Sequence, residues 1–174
     1  VRVEDSHSWT QPRGKQAGTT RWPIDYDGII GIWQTVWLEP LPDVSIESVF
    51  PQFSLDSSQL ICLVEFSQHV EGELQVDLLM SGELITSAKA STQLRGEARV
   101  PLTIEDPLLW SPDSPYLYDL HLTLITASGQ RDIATSYCGL REISTEGGTF
   151  KLNDEKLYIR GILDQGYFPK GWYT

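Results

Sequence analysis

The chain is poor in the residue types on which many functions depend. Its 174 residues include two cysteines, one methionine and three histidines. Two cysteines are too few for a disulfide scaffold or a metal site built from CxxC pairs. Cys62 and Cys138 both fall in predicted strands and read as buried free thiols, a bridge being the alternative. His7, His69 and His121 are dispersed, and none has a Cys or His partner at metal-ligand spacing. Basic residues are scarce as well: 13 Lys and Arg stand against 24 Asp and Glu, a net charge of −11. That balance argues against nucleic acid, whose phosphates need a basic face, and against anionic membranes. It reads as a solvated acidic surface that aids solubility. No apolar run approaches the roughly 20 residues of a membrane span. No window shows an amphipathic helix with caps. There is no GxSxG elbow, no phosphate-binding loop and no carboxylate pair that can be placed on facing strands. Nothing calls for a cofactor or a resident metal.

What is present is strand periodicity, on a chain whose 40% hydrophobic content is enough for a core. Leu74, Val76, Leu78 and Met80 alternate with Glu73, Gln75 and Asp77. Ala98, Val100, Leu102 and Ile104 alternate with Glu97, Arg99 and Thr103. Tyr118, Leu120, Leu122 and Leu124 alternate with Asp119, His121 and Thr123, which leaves His121 facing solvent. Successive side chains on a strand point to opposite faces, so each run has one buried and one wet face. The unbroken run Leu60–Val64 predicts a central strand. Ser81-Gly82, Ser128-Gly129 and Glu71-Gly72 supply the turn residues between runs. The expected strands are 44–50, 59–67, 73–80, 83–89, 97–104, 116–126 and 131–142. About seven short strands in about 100 residues predict an all-β, immunoglobulin-like β-sandwich. Asp106-Pro107 to Pro115 is expected to cross between sheets as a loop.

Two flanks do not belong to that sandwich. Gly31–Leu38 (GIWQTVWL) predicts a strand whose partners lie upstream. Gly148 to Arg160 predicts a strand, an Asn153-Asp154 turn and a second strand, Leu157–Arg160. Beyond it come Tyr167, Phe168, Trp172 and Tyr173, with little chain left to cover them. Residue 1 is Val, and residues 1–23 are polar and carry no targeting segment. The expectation is a middle piece of a larger protein.

At these residues a resemblance enters. PRGKQ (Pro12–Gln16), DYDGIIGIWQTVWLEPLP (Asp25–Pro42), LLWSPDSPYLYDL (Leu108–Leu120), GLREI (Gly139–Ile143) and FKLNDEKLYIRG (Phe150–Gly161) fall in the order seen in glycoside hydrolase family 2. That family holds β-galactosidases, β-glucuronidases and β-mannosidases. The resemblance implies an assignment of 1–42 to the end of a sugar-binding jelly roll, 43–144 to an immunoglobulin-like sandwich and 145–174 to the first strand of a truncated TIM barrel. It also implies a retaining mechanism by two glutamates about 5–5.5 Å apart, both on later barrel strands and so beyond this chain. No catalytic residue is assigned here, and the polypeptide alone is expected to be inactive. Many members follow the first-strand Arg-Gly with Asn-Arg-His. Here Arg160-Gly161 is followed by Ile162-Leu163-Asp164-Gln165, a departure that leaves the sugar unnamed.

Asp164, Gln165 and Arg160 are therefore the candidate substrate-binding residues, for the whole enzyme only. The competing reading is a loop that merely caps the barrel, with Arg160 paired to a carboxylate. Asp25 and Asp27 flank Tyr26 in a turn and supply too few oxygens for a Ca²⁺ or Mg²⁺ site. Glu105-Asp106 marks a strand end. Trp22, Trp33, Trp37, Trp110 and Trp172 read as core or inter-domain packing before sugar contact, Trp22 and Trp172 being the candidates for the latter. The expected partners are the rest of the parent polypeptide and a carbohydrate substrate, with homo-oligomers through unpaired strands. A stand-alone carbohydrate-binding or adhesion module is the alternative function.

Overall fold

A computed structural model describes residues 2–4, 31–32, 34–93 and 95–163. By compactness the chain divides into Pro40–Arg160 and a second unit made of Val1–Glu39 with Gly161–Thr174. The ten strands of the described residues all lie in the first unit, and those residues contain no helix. None of them therefore forms a helix able to cross a membrane.

The first unit is an all-β, immunoglobulin-like sandwich with a small third sheet. Its strands are β1 (Ile46–Ser54), β2 (Gln59–Val70), β3 (Gly72–Met80), β4 (Glu83–Ser91), β5 (Arg95–Thr103), β6 (Tyr118–Thr126) and β7 (Arg131–Cys138). One sheet has the order β1-β2-β5 and the other β4-β3-β6-β7, with every pairing antiparallel. The fourth strand thus pairs with β3, whereas in constant-type immunoglobulin domains it joins the sheet of strands A, B and E. All seven sandwich strands expected from periodicity are present. β1 runs on through Pro51 to Ser54, because it is an edge strand bonded only to β2, and an edge tolerates a missing N–H. β7 stops at Cys138 rather than at 142, because the next residues bond to a loop instead of to β6.

The core follows from the two-residue period. Leu60, Cys62 and Val64 on β2 face Leu74, Val76 and Leu78 on β3, with Val100 and Leu102 of β5 and Leu120, Leu122 and Leu124 of β6 completing the same cluster. Each is at most 1% exposed. His121, on the outer face of β6, is exposed as expected.

Both changes of sheet at one end of the sandwich meet at a buried hydroxyl. β2 passes to β3 through Glu71 alone, and β4 returns to β5 through residues 92–94. Thr92 is fully buried, and its hydroxyl donates to the Val70 carbonyl at 2.6 Å. Gly72 lies at this crossing, where a Cβ would stand 2.3 Å from the Ile125 carbonyl oxygen. On the seam between β1 and β7 the Ile46 N–H donates to the Asp132 carboxylate at 2.7 Å.

The third sheet, in the order β10-β9-β8, consists of β8 (Ile143–Glu146), β9 (Thr149–Leu152) and β10 (Glu155–Lys156). Its two turns, Gly147-Gly148 and Asn153-Asp154, have positive φ at both positions, which matches the twist of a tight hairpin. The hairpin expected at Asn153-Asp154 is therefore present, but its second strand is Glu155–Lys156 and not Leu157–Arg160. Leu157 adds one bond, its N–H donating to Phe150 at 2.8 Å, and the chain then leaves the sheet. The strand expected over residues 31–38 is also absent among its described residues. Alternation alone does not make a strand; a hydrogen-bonded neighbour does, and the described residues supply none. Val36, Trp37 and Leu38 are exposed.

The two cysteines are free and buried. Burial pushes the Cys62 thiol up to about 12, with the nearby Cys138 adding to the rise, and burial pushes Cys138 up to about 11. An acid held neutral in the fold stabilises it fully below the unfolded value of 9.0 and loses that contribution as pH climbs towards the folded values. Stability measured by denaturant should hence fall from about pH 9 upward, and Cys62→Ala should flatten that slope even though it lowers stability at pH 7. An unchanged slope in the variant would refute the assignment. Gly72→Ala should cost about 1–3 kcal/mol by overpacking against backbone, read as a lower unfolding midpoint.

Candidate functional site: a groove and a joint around Trp110

The loop between β5 and β6, residues 104–117, separates two surface grooves. The first is about 510 Å³, and Phe53, Leu60, Trp110, Tyr137, Arg141 and Glu142 are among the residues that line it. The second, about 480 Å³, lies between Ser111–Ser114 of the same loop and Asn153, Glu155 and Leu157 of the third sheet. The floor of the first reaches the core at Leu60 and Cys138, because β7 has ended there and the chain peels away from β6.

The loop is held at Leu108 and Trp110. Tyr118, 2% exposed at the start of β6, accepts the Leu108 N–H on its hydroxyl at 2.9 Å. The Trp110 N–H donates to Leu140 at 2.9 Å. The Arg141 guanidinium lies 4.5 Å from the centre of the Trp110 ring, a cation–π contact. Gly139 must be small, since a Cβ there would meet Cγ of Trp110 at 2.9 Å and Cβ and Cδ1 at 3.0 Å.

Asn153 joins the third sheet to this assembly. Its N–H donates to the Glu142 carbonyl at 2.9 Å, and its Oδ1 accepts the Glu142 N–H at 3.0 Å. Its Nδ2 donates to the Trp110 carbonyl at 3.1 Å. The Glu142 carboxylate in turn accepts the Leu55 N–H of the β1–β2 turn at 2.9 Å. Leu152, next to Asn153, is 8% exposed. Across β8 and β9, the exposed Glu146 and the partly buried Lys151 form an ion pair that lowers the carboxyl and raises the ammonium.

Of the residues named from the sequence, Arg160 is exposed and lines neither groove. Asp164 and Gln165 lie outside the described residues, as do Asp25, Asp27, Trp22, Trp33 and Trp172. Trp110 is half-buried and lies outside the hydrophobic core, as the hub of a polar joint. Asn153 was legible only as a turn residue. Glu142 and Arg141 lay within the GLREI segment with no individual role. Among the described residues no group of three or more His, Cys, Asp or Glu is placed to hold a metal.

These features define an immunoglobulin-like sandwich whose last strand leads through a bonded joint into further chain. Residues 44–141 match the sequence family described as Glycosyl hydrolases family 2, and the chain belongs to that family. It is 26% identical over 154 residues to a β-galactosidase of Thermoanaerobacter pseudethanolicus, covering 84% of this chain and 21% of that one. It is 32% identical over 124 residues to a β-glucuronidase of Paenibacillus borealis, covering 69% and 18%. In fold it is similar to the β-glucuronidase of Ruminococcus gnavus bound to D-glucaro 1,5-lactone. There the TM-score is 0.62 at 23% identity, over 76% of this chain and 22% of that one. The chain thus spans about a fifth of the length of these relatives.

Gly139→Ala should displace the Trp110 indole and cost about 1–3 kcal/mol. The check is the indole N–H resonance of Trp110 together with the unfolding midpoint. A variant with both unchanged would refute the close packing of Gly139 on Trp110.

Proposed function

We propose that this chain is the non-catalytic sandwich segment of a retaining family 2 β-glycosidase, which hydrolyses O-glycosyl bonds of carbohydrates. Its role is architectural: it spaces a sugar-binding jelly roll, to which residues 1–42 belong, from a TIM barrel that begins within 145–174. The observation that carries the reading is that the family match, residues 44–141, falls on the sandwich. The covered fraction of the relatives, about a fifth, agrees with a segment of a longer enzyme. In that enzyme Arg160, Asp164 and Gln165 stand where the barrel begins, on the side where barrel enzymes bind substrate. Two carboxylates about 5–5.5 Å apart perform the chemistry, and they come from outside these residues. The partners of the sandwich are then the two neighbouring domains, and its exposed apolar residues at the joint, Tyr158 and Ile159 among them, are suited to such contacts.

The names of the relatives select the probes. The 174-residue chain should not hydrolyse 4-nitrophenyl β-D-galactoside or β-D-glucuronide above buffer. The longest reading frame containing it should hydrolyse at least one. Turnover by the isolated chain, or an inert longer protein, would overturn the proposal.

A further inference from the structure

We infer that Asn153 is a positioning residue of the enzyme, clamping the segment that carries Arg160 to the sandwich; the inference rests on the function proposed above. The tight turn by itself does not need this side chain. The adjoining turn of the same sheet has the same positive φ at both positions and uses Gly147-Gly148, with no side chain to bond. Asparagine at 153 therefore adds something to the turn, and what it adds is visible in its amide. Oδ1 and Nδ2 each bind a different part of the sandwich, Glu142 at 3.0 Å and Trp110 at 3.1 Å. Glu142 extends the tie to Leu55 in the β1–β2 turn at 2.9 Å. One side chain thus gathers the post-β7 segment, the β5–β6 loop and, through Glu142, the β1–β2 turn onto the third sheet.

Between this clamp and Arg160 the path is short. β10 is two residues long, Leu157 is bonded to Phe150 at 2.8 Å, and Tyr158–Arg160 are exposed and outside any strand. The direction in which the chain leaves is therefore set by the hairpin, and the hairpin is set by Asn153 and Leu152. Losing the two side-chain bonds leaves that turn held only by Leu152 and by the Asn153 N–H on the Glu142 carbonyl, a looser attachment. A displaced substrate-binding group weakens ground-state and transition-state binding alike, which raises KM and leaves kcat.

The substitutions separate the side chain from the turn. Asn153→Gly keeps the positive φ and removes both amide bonds. Asn153→Asp keeps the acceptor for the Glu142 N–H and removes the donor to Trp110. In hydrogen exchange of the 174-residue chain, Asn153→Gly should speed the amides of Thr149–Leu157 by about tenfold and leave those of β2, β3 and β6 unchanged, with Asn153→Asp in between. Native exchange in Asn153→Gly, or equal acceleration throughout the sandwich, would sink the clamp. In the longer enzyme, assayed on whichever of the two 4-nitrophenyl glycosides it hydrolyses, Asn153→Gly should raise KM by about tenfold at nearly unchanged kcat, and Asn153→Asp should recover part of the loss. An active enzyme whose KM does not move in Asn153→Gly refutes the positioning role alone. A longer protein inert on both probes removes the enzyme reading and this inference with it, while the exchange data still decide whether Asn153 clamps the hairpin.

Discussion

Everything in this molecule depends on sealing two twisted sheets with one alternate set of side chains. β2, β3, β5 and β6 each bury every second residue, and those residues are nearly all aliphatic. The opposite faces of β5 and β6 remain wet, with Glu97, Arg99, Asp119 and His121 exposed. Burial at roughly 25 cal/mol per Å² of apolar surface is the main favourable contribution, and it is available only in this register. A slip of one residue would exchange leucines for glutamates and aspartates. The hydrogen-bond ladders, the turns and the loop that carries Trp110 are consequences of where that register places the strand ends.

The same seal explains where polar chemistry is permitted inside. Thr92 is buried where both sheet crossings meet, and its hydroxyl donates to the Val70 carbonyl at the end of β2. The cysteine thiols are tolerated because they stay neutral. After Cys138 the chain leaves β6 and the groove opens. Leu140 still fills the core, while Arg141 and Glu142 tie the segment to Trp110 and to the β1–β2 turn.

Much of this was legible in the residues. Strict alternation around Leu74, Val100 and Leu122 located three of the four strands that line the core and their inner faces, and the unbroken run at Leu60–Val64 located the fourth. The small and polar turn residues at Ser81-Gly82, Ser128-Gly129 and Asn153-Asp154 separated the strands where chain reversal requires positive φ. What was not legible was anything that depends on a partner. Gly31–Leu38 and Leu157–Arg160 alternate like strands, but a ladder needs a neighbour that composition cannot reveal. The joint was hidden for a related reason. Asn153 and Glu142 lie 11 residues apart and Asn153 and Trp110 lie 43 apart, and no periodicity connects positions that meet only after folding. Of the candidate site, Arg160 is visible as an exposed residue and gains meaning only from residues beyond it.

The register also limits how the length of this domain can drift. Adding or removing a single residue within β2, β3, β5 or β6 would rotate half a strand by one pleat and turn its apolar side chains outward. The same change at Ser111–Ser114 or Ala127–Gly129 would only lengthen a loop. Indels should therefore cluster in the loops around Trp110 and between β6 and β7, and those around Trp110 would reshape the groove while the strand lengths stay counted.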